Sequence, residues 1–312
     1  MLVRYLLAAV AILLAGCDPA PRPMVLISNP WLGTAPIINT SVVAPASLPD
    51  NLKIIRLVSD SSLSRMLSNK AAAGAFLSLS NALSLNTLSE NSYCIAMITA
   101  RSIGADAILA RHDWQVDSQD TIRVGMEDSH LARYVLNQWL QHHGVSQERI
   151  EIQALQPQQQ AAAWTGHKVD LIVTYEPFIE PLRHRGAKVI FDSSHPTMHV
   201  TNVLLVDRTR WQLFEPLVSD FRERTWPQTL KRLAGDDADF MQGLQKLSNY
   251  NSEQLAKALD TIEFVTSAEQ QQAFRQLLQE DMPKAIAAYE ATGAAQQAAV
   301  LGACPNIVEQ AL

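Results

Sequence analysis

A membrane-spanning helix is the first thing missing from this chain of 312 residues. The apolar run that opens it, 5–16, is bounded by Arg4 and Asp18 and falls short of the ~20 apolar residues that a bilayer requires. Cysteine is scarce too, with three in all, Cys17, Cys94 and Cys304, so the fold does not rest on a disulfide framework. Basic excess is absent: 25 Lys and Arg stand against 31 Asp and Glu, which excludes the electrostatic footprint of a nucleic-acid binder. No G-x-S-x-G elbow, phosphate-binding G-x-x-x-x-G-K loop or dinucleotide glycine fingerprint occurs, so the chain offers no catalytic or cofactor signature. The eight histidines are scattered. His195 and His199 are four apart, but Pro196 breaks the helix that would pair them, and His142 and His143 precede Gly144, where positive charge suits a helix end. Neither a metal nor a cofactor is expected, nor an enzyme.

What is present begins with a basic start, a short apolar core and small residues, the pattern of a secretory signal peptide. It runs into Leu14-Ala15-Gly16-Cys17, which resembles the bacterial lipobox, in which the cysteine is lipidated and becomes the mature N-terminus. Residues 1–16 are then a lipoprotein signal peptide, and 17–23, with Pro19, Pro21 and Pro23, an extended leash. Asp18 after the cysteine is similar to an inner-membrane retention signal. Export would allow Cys94 and Cys304 to pair, although Cys94 in its apolar run reads equally well as a buried thiol.

From residue 24 apolar runs alternate with helical stripes. MVLIS (24–28), LKIIRLV (52–58), AAAGAFLSL (71–79) and CIAMITA (94–100) read as buried strands. Asp60-Ser61-Ser62 reads as a helix start before Leu63, Met66 and Leu67. The pattern then restarts with strands at 121–126, 149–155, 170–177 and 188–192. Asp128 or Ser129 caps the helix carrying Leu131, Tyr134, Val135 and Trp139, with Asp128 favoured, and Gly144 ends it. Beyond Val206 helical stripes dominate, among them Leu255, Leu259 and Ile262, with Pro216 and Pro227 at first-turn positions. Two α/β units visited in turn predict a bilobed α/β protein, two three-layer αβα lobes joined by a hinge, with 24–108 plus 196–312 as lobe 1 and 109–195 as lobe 2. Ligands of such sheets lie beyond the carboxyl ends of strands, here across a cleft that closes by hinge motion.

Several segments in order resemble the periplasmic solute-binding proteins of the nitrate, sulfonate, taurine and thiamine-precursor importer type. NPWLGTAP (29–36) is similar to that family's W-x-G-x-x-P opening, and GADAILAR (104–111) to its crossover segment. VGMEDSHLARYVLNQWLQHHGV (124–145), AAAWTGHKVDLIVTYEPF (161–178) and GAKVIFDSS (186–194) are similar to its second-lobe strands and helices. Thr34-Ala35-Pro36 departs from the Tyr-Glu-Pro of many relatives, removing a carboxylate and a phenol from the opening loop. The resemblance implies a type II periplasmic-binding-protein fold and a lipid-anchored protein that is no enzyme but a captor of a small molecule for an inner-membrane ABC importer permease. The same fold and tether also suit a ligand-sensing partner of a membrane signalling protein.

Strand ends nominate the site. Lobe 1 offers Asn29, Trp31, Asp60, Ser61, Ser78 and Ser80; lobe 2 offers Glu127, Asp128, Ser129, Thr174, Tyr175 and Glu176; the crossover offers Asp106. Trp31 either stacks on a ligand or packs as core. Ser78, Ser80 and Ser129 either hold an anion with free N–H groups or simply cap helices. Glu127 is read as a ligand contact, favouring an amine or aminopyrimidine, and Glu176 as an acceptor for a ligand amine or a bridge between lobes. Asp106 is read more as a hinge lock than as a ligand contact. Arg101 favours an anion such as sulfonate or nitrate instead, and the sequence leaves the ligand's charge open.

Overall fold

The computed structural model describes residues 23–90, 92–118, 120–235, 237–291, 297–299 and 301–307. The expected signal peptide, Cys17 and nearly all of the leash lie outside them. Eleven strands among the described residues form two sheets. The first holds β1 (Met24–Ser28), β2 (Leu52–Arg56), β3 (Gly74–Ser78), β4 (Tyr93–Ser102), β10 (Val200–Asp207) and β11 (Ile262–Phe264), in the order β11-β4-β10-β3-β1-β2. The second holds β5 (Asp106–Arg111), β6 (Ile122–Met126), β7 (Ile150–Ala154), β8 (Leu171–Tyr175) and β9 (Ala187–Asp192), in the order β7-β6-β8-β5-β9.

Apolar composition dictates this layering. β3 and β8 are buried at every residue, as strands covered on both faces by helices must be. Each sheet has its own core: Phe76, Phe221, Phe274 and Leu204 belong to the first, and Trp139, Val124 and Leu171 to the second. At roughly 1.5–3 kcal/mol for each large apolar side chain removed from water, such cores hold both lobes. Among the described residues no helix is long and apolar enough to cross a membrane.

The chain passes from β4 to β5 through residues 103–105 and returns from β9 to β10 through 193–199. The first expected boundary, at 108, falls inside β5, because the run ADAILA continues the crossover as an apolar strand. Ser193 ties the two passages together: its Oγ lies 2.6 Å from Ser102 Oγ and accepts from Gly104 N at 2.8 Å, and its N–H donates to Asp106 O at 2.9 Å.

Four local expectations differ from the structure. Ser59, not Asp60, caps the helix Asp60–Ser68, and Ser129, not Asp128, caps the helix His130–His143, its Oγ accepting from Ala132 N at 3.2 Å. Asp128 instead points outward to Arg133 at 2.8 Å. Pro216 lies inside the helix Trp211–Asp220, where the buried face of Trp211, Phe214 and Val218 offsets the lost backbone bond, and Pro227 follows a π-helical turn, Phe221–Thr225, that carries that helix without a break into Trp226–Ala234. Ile262 belongs to β11, paired with Ser102, so its spacing from Leu259 is not a helical stripe. Cys94 in β4 and Cys304 form a disulfide, with their Cα atoms 4.8 Å apart, and the terminal segment lies along β4 through Cys304 N to Ile95 O at 2.8 Å.

Candidate functional site

Asn29 follows β1, Asp60 and Ser61 follow β2, and Asn81 opens the helix Leu79–Leu88 after β3. Glu127 follows β6, Glu176 follows β8, and Asp106 starts β5, antiparallel to β8 and opposite Tyr175. All therefore project from one end of either sheet, and the two ends face each other.

Asp60 is the hub on the lobe 1 side. It is 1% exposed, and its two oxygens accept from Asn29 Nδ2 at 2.7 Å and Asn81 Nδ2 at 2.8 Å. Asn81 Oδ1 accepts across the cleft from Leu131 N at 3.0 Å. From the other side Glu127 reaches into lobe 1. Its Oε1 accepts from Ser61 N at 2.9 Å and Ser61 Oγ at 3.2 Å, and its Oε2 accepts from Tyr175 Oη at 3.3 Å. Gln156 Nε2 donates to Ser61 Oγ at 3.0 Å, and Gln158 Nε2 to Val58 O at 2.8 Å. Nearer the hinge, Tyr250 Oη donates to Glu176 Oε2, and Leu32 N donates to Glu176 O at 2.9 Å. The lobes are thus closed on each other.

Burial sets the electrostatics. It is the largest cause pushing the Asp106, Glu127 and Glu176 carboxyls up to about 7, and Asp60 also raises the first two. Burial likewise raises Asp60, against the pull of its two amide donors, and raises the Tyr175 phenol. None of the four carboxylates forms an ion pair among the described residues. A cavity of about 10 Å³ lies among Asp60, Asp106, Glu127, Ser129, Thr174 and Tyr175, with Leu131, Ala132, Val135 and Val173 as its apolar wall. Asp106 Oδ2 and Thr174 Oγ1 are buried there without a hydrogen-bond partner.

Asn29, Ser61, Asp106, Glu127, Ser129, Thr174, Tyr175 and Glu176 therefore gather where the lobes meet. Trp31 is buried in the interlobe core with Tyr175, Tyr250 and Phe240, its ring lying where a side chain at position 33 would stand: a Cβ on Gly33 would come within 1.9 Å of it. Ser78 caps the helix Leu79–Leu88, accepting from Asn81 N at 3.3 Å. Ser80 lies apart from the carboxylates, beside His130, Tyr134 and Tyr289. Arg101 is also apart; its guanidinium donates to Glu263 at 2.8 Å and Gln276 at 3.1 Å, at the sheet edge formed by β11. Sequence reasoning missed Asn81 and Tyr250. Asn81 stands three residues past a helix cap, a place open to search, but nothing local marks Tyr250, which comes from a distant helical segment.

No protein-family model matches the chain, and no curated protein matches it. Solved structures do. The periplasmic aliphatic sulphonate binding protein SsuA from Escherichia coli superposes with a TM-score of 0.67 at 13% identity, covering 94% of this chain and 98% of that one. The ligand binding component of an ABC-type import system from Staphylococcus aureus, with zinc bound, gives 0.72 at 10% identity over 93% and 99%. The alkanesulfonate-binding protein SsuA from Xanthomonas axonopodis pv. citri, bound to MOPS, gives 0.65 at 15% identity over 84% and 94%. The chain has the bilobed periplasmic-binding-protein fold. Identities this low carry the fold and leave the ligand to be argued from the cleft itself.

Proposed function

We propose that this chain is an extracytoplasmic solute-binding protein, tethered through Cys17 to the periplasmic face of the inner membrane, that closes its lobes on a small molecule and delivers it to an ABC importer. Binding is the whole of its chemistry. The observation that carries this reading is the polar cluster shared between lobes: Asp60, Asn81 and Ser61 from one side meet Glu127 and Leu131 N from the other. Closure completes such a cluster, so a solute held there shifts the population toward the closed form. The tether keeps the protein near its membrane partner at high effective concentration.

The test uses protein starting at Asp18, screened by thermal shift against sulfonates, nitrate, carboxylates, aminopyrimidines and amines, with small-angle scattering on every hit. A ligand that raises Tm and compacts the particle is expected. A hit that binds without compaction sinks the closure mechanism. For the tether, Cys17→Ser should release the protein from membranes; a variant that still fractionates with them removes the lipid anchor from the reading.

A further inference from the structure

The interlobe cavity carries more chemistry than closure alone needs. Asp60, Asp106 and Glu127 converge on it, all at most 2% exposed, and none has a Lys, Arg or His ion-pair partner among the described residues. Buried carboxylates normally carry a compensating cation or hydrogen-bond donors on every oxygen. Here the donors are set for ionised, acceptor-only groups. Asn29 and Asn81 each give an N–H to Asp60, and Ser61 and Tyr175 give theirs to Glu127. Two acceptor sites remain open toward the cavity, Asp106 Oδ2 and Thr174 Oγ1.

The place where an anion would naturally bind is already filled. The first free N–H groups of the helix Asp60–Ser68 attract negative charge, and Glu127 of the opposite lobe accepts from Ser61 N there. The cavity, at about 10 Å³, suits one water-sized group, and an ammonium is of that size. Among the described residues no group of three or more His, Cys, Asp or Glu side chains converges closely enough to hold a metal ion.

We propose that the solute of this cleft carries a protonated primary amine, and that Asp60, Asp106, Glu127 and Thr174 form the subsite for its ammonium group. This rests on the solute-binding reading and names its ligand class. Glu127 then serves two ends: it excludes anions from the lobe 1 helix, and its charge attracts the amine. Burial that holds the Asp106 and Glu127 carboxyls up to about 7 is relieved once a cation sits beside them.

The experiment is calorimetry and thermal shift on the protein from Asp18 at neutral pH, with ammonium, methylammonium, ethanolamine and putrescine as probes. Tetramethylammonium supplies charge without N–H donors, ethylene glycol supplies neither, and ethanesulfonate, Ca²⁺ and Zn²⁺ complete the panel. The primary amines should raise Tm and tetramethylammonium should not. Asp106→Asn should weaken the best amine by about tenfold or more, since hydrogen bonds to charged groups are the strong ones. Its unliganded Tm should hold or rise, which loss of a merely structural residue would not give. Thr174→Val, which preserves shape, should weaken the same amine to a smaller degree and decides the matter if Asp106→Asn does not fold. No response to any amine at tens of millimolar overturns the proposal, as does an equal response to tetramethylammonium or an unchanged amine affinity in both variants. A response to ethanesulfonate or a metal alone also overturns it, yet leaves a solute-binding protein with another ligand. No binding and no compaction with any compound fells the solute-binding reading itself.

Discussion

Asp106, Glu127 and Glu176 pull the pH dependence of stability in one direction. Burial raises each to about 7, well above the range of about 4 that such groups have in an unfolded chain. Between those values the native state binds more protons than the unfolded state, so stability falls as pH rises. The unliganded protein should therefore show a Tm that is highest below about pH 4 as far as these groups are concerned and declines through about pH 7. Glu127→Gln or Asp106→Asn should flatten that decline, and a Tm profile with the same slope in both variants would show that these carboxyls are not held as described. The sequence made most of this cluster legible, because strand ends nominate residues without any knowledge of packing: Asn29, Asp60, Glu127 and Glu176 all follow a strand, whereas Asp106 is offered only by the crossover segment and its strand β5 goes unread. Distance from the strand end is also what hid Tyr250, and it is why Arg101, a strand residue near the hinge, could not be assigned a direction. Its partner Glu263 lies 162 positions away in sequence.

Secondary-structure elements depend on single side chains at their ends. Ser129 caps the helix His130–His143 and Asp128 does not, so the two neighbours should respond differently to replacement. Ser129→Ala should cost about 1 kcal/mol. Asp128→Ala should cost no more than about 0.5 kcal/mol, since its pair with Arg133 is exposed. Urea unfolding of both variants checks this, and equal losses would return the cap to Asp128. Either residue satisfies the local rule for a helix start, and only the turn of the backbone after Glu127 chooses between them. The same limit applies to β11 and β10. Three residues, Ile262–Phe264, are too few for a period to show, and the buried run in β10 is told from a helix only by its pairing with β3 and β4. By contrast β1, β6, β7 and β9 lie where their apolar runs predict, because a run bounded by turn residues fixes both type and length.

For the molecule as a whole, the bond between Cys94 and Cys304 joins positions 210 residues apart. A cross-link over a loop of that size restricts the unfolded chain by up to about 5 kcal/mol. Reduction, or Cys94→Ala with Cys304→Ala, should lower the unfolding midpoint markedly while leaving the cleft contacts in place. An unchanged midpoint on full reduction would show that the segment along β4 is held by its backbone bonds and by Leu301 and Ile307 without the bridge. The two passages between sheets have a different kind of consequence. The chain leaves the first sheet at 103–105 and comes back at 193–199, and Ser193 stitches the departing and returning strands side by side. One uninterrupted stretch of gene thus encodes what the second lobe brings to the cleft, Asp106, Glu127, Ser129, Thr174, Tyr175 and Glu176 among it, while Asn29, Asp60 and Asn81 stay behind with the host. Half of the proposed recognition surface would be exchangeable as a cassette through a single pair of adjoining splice points, and a chimera made there would keep one wall of the proposed site while acquiring a new opposite wall.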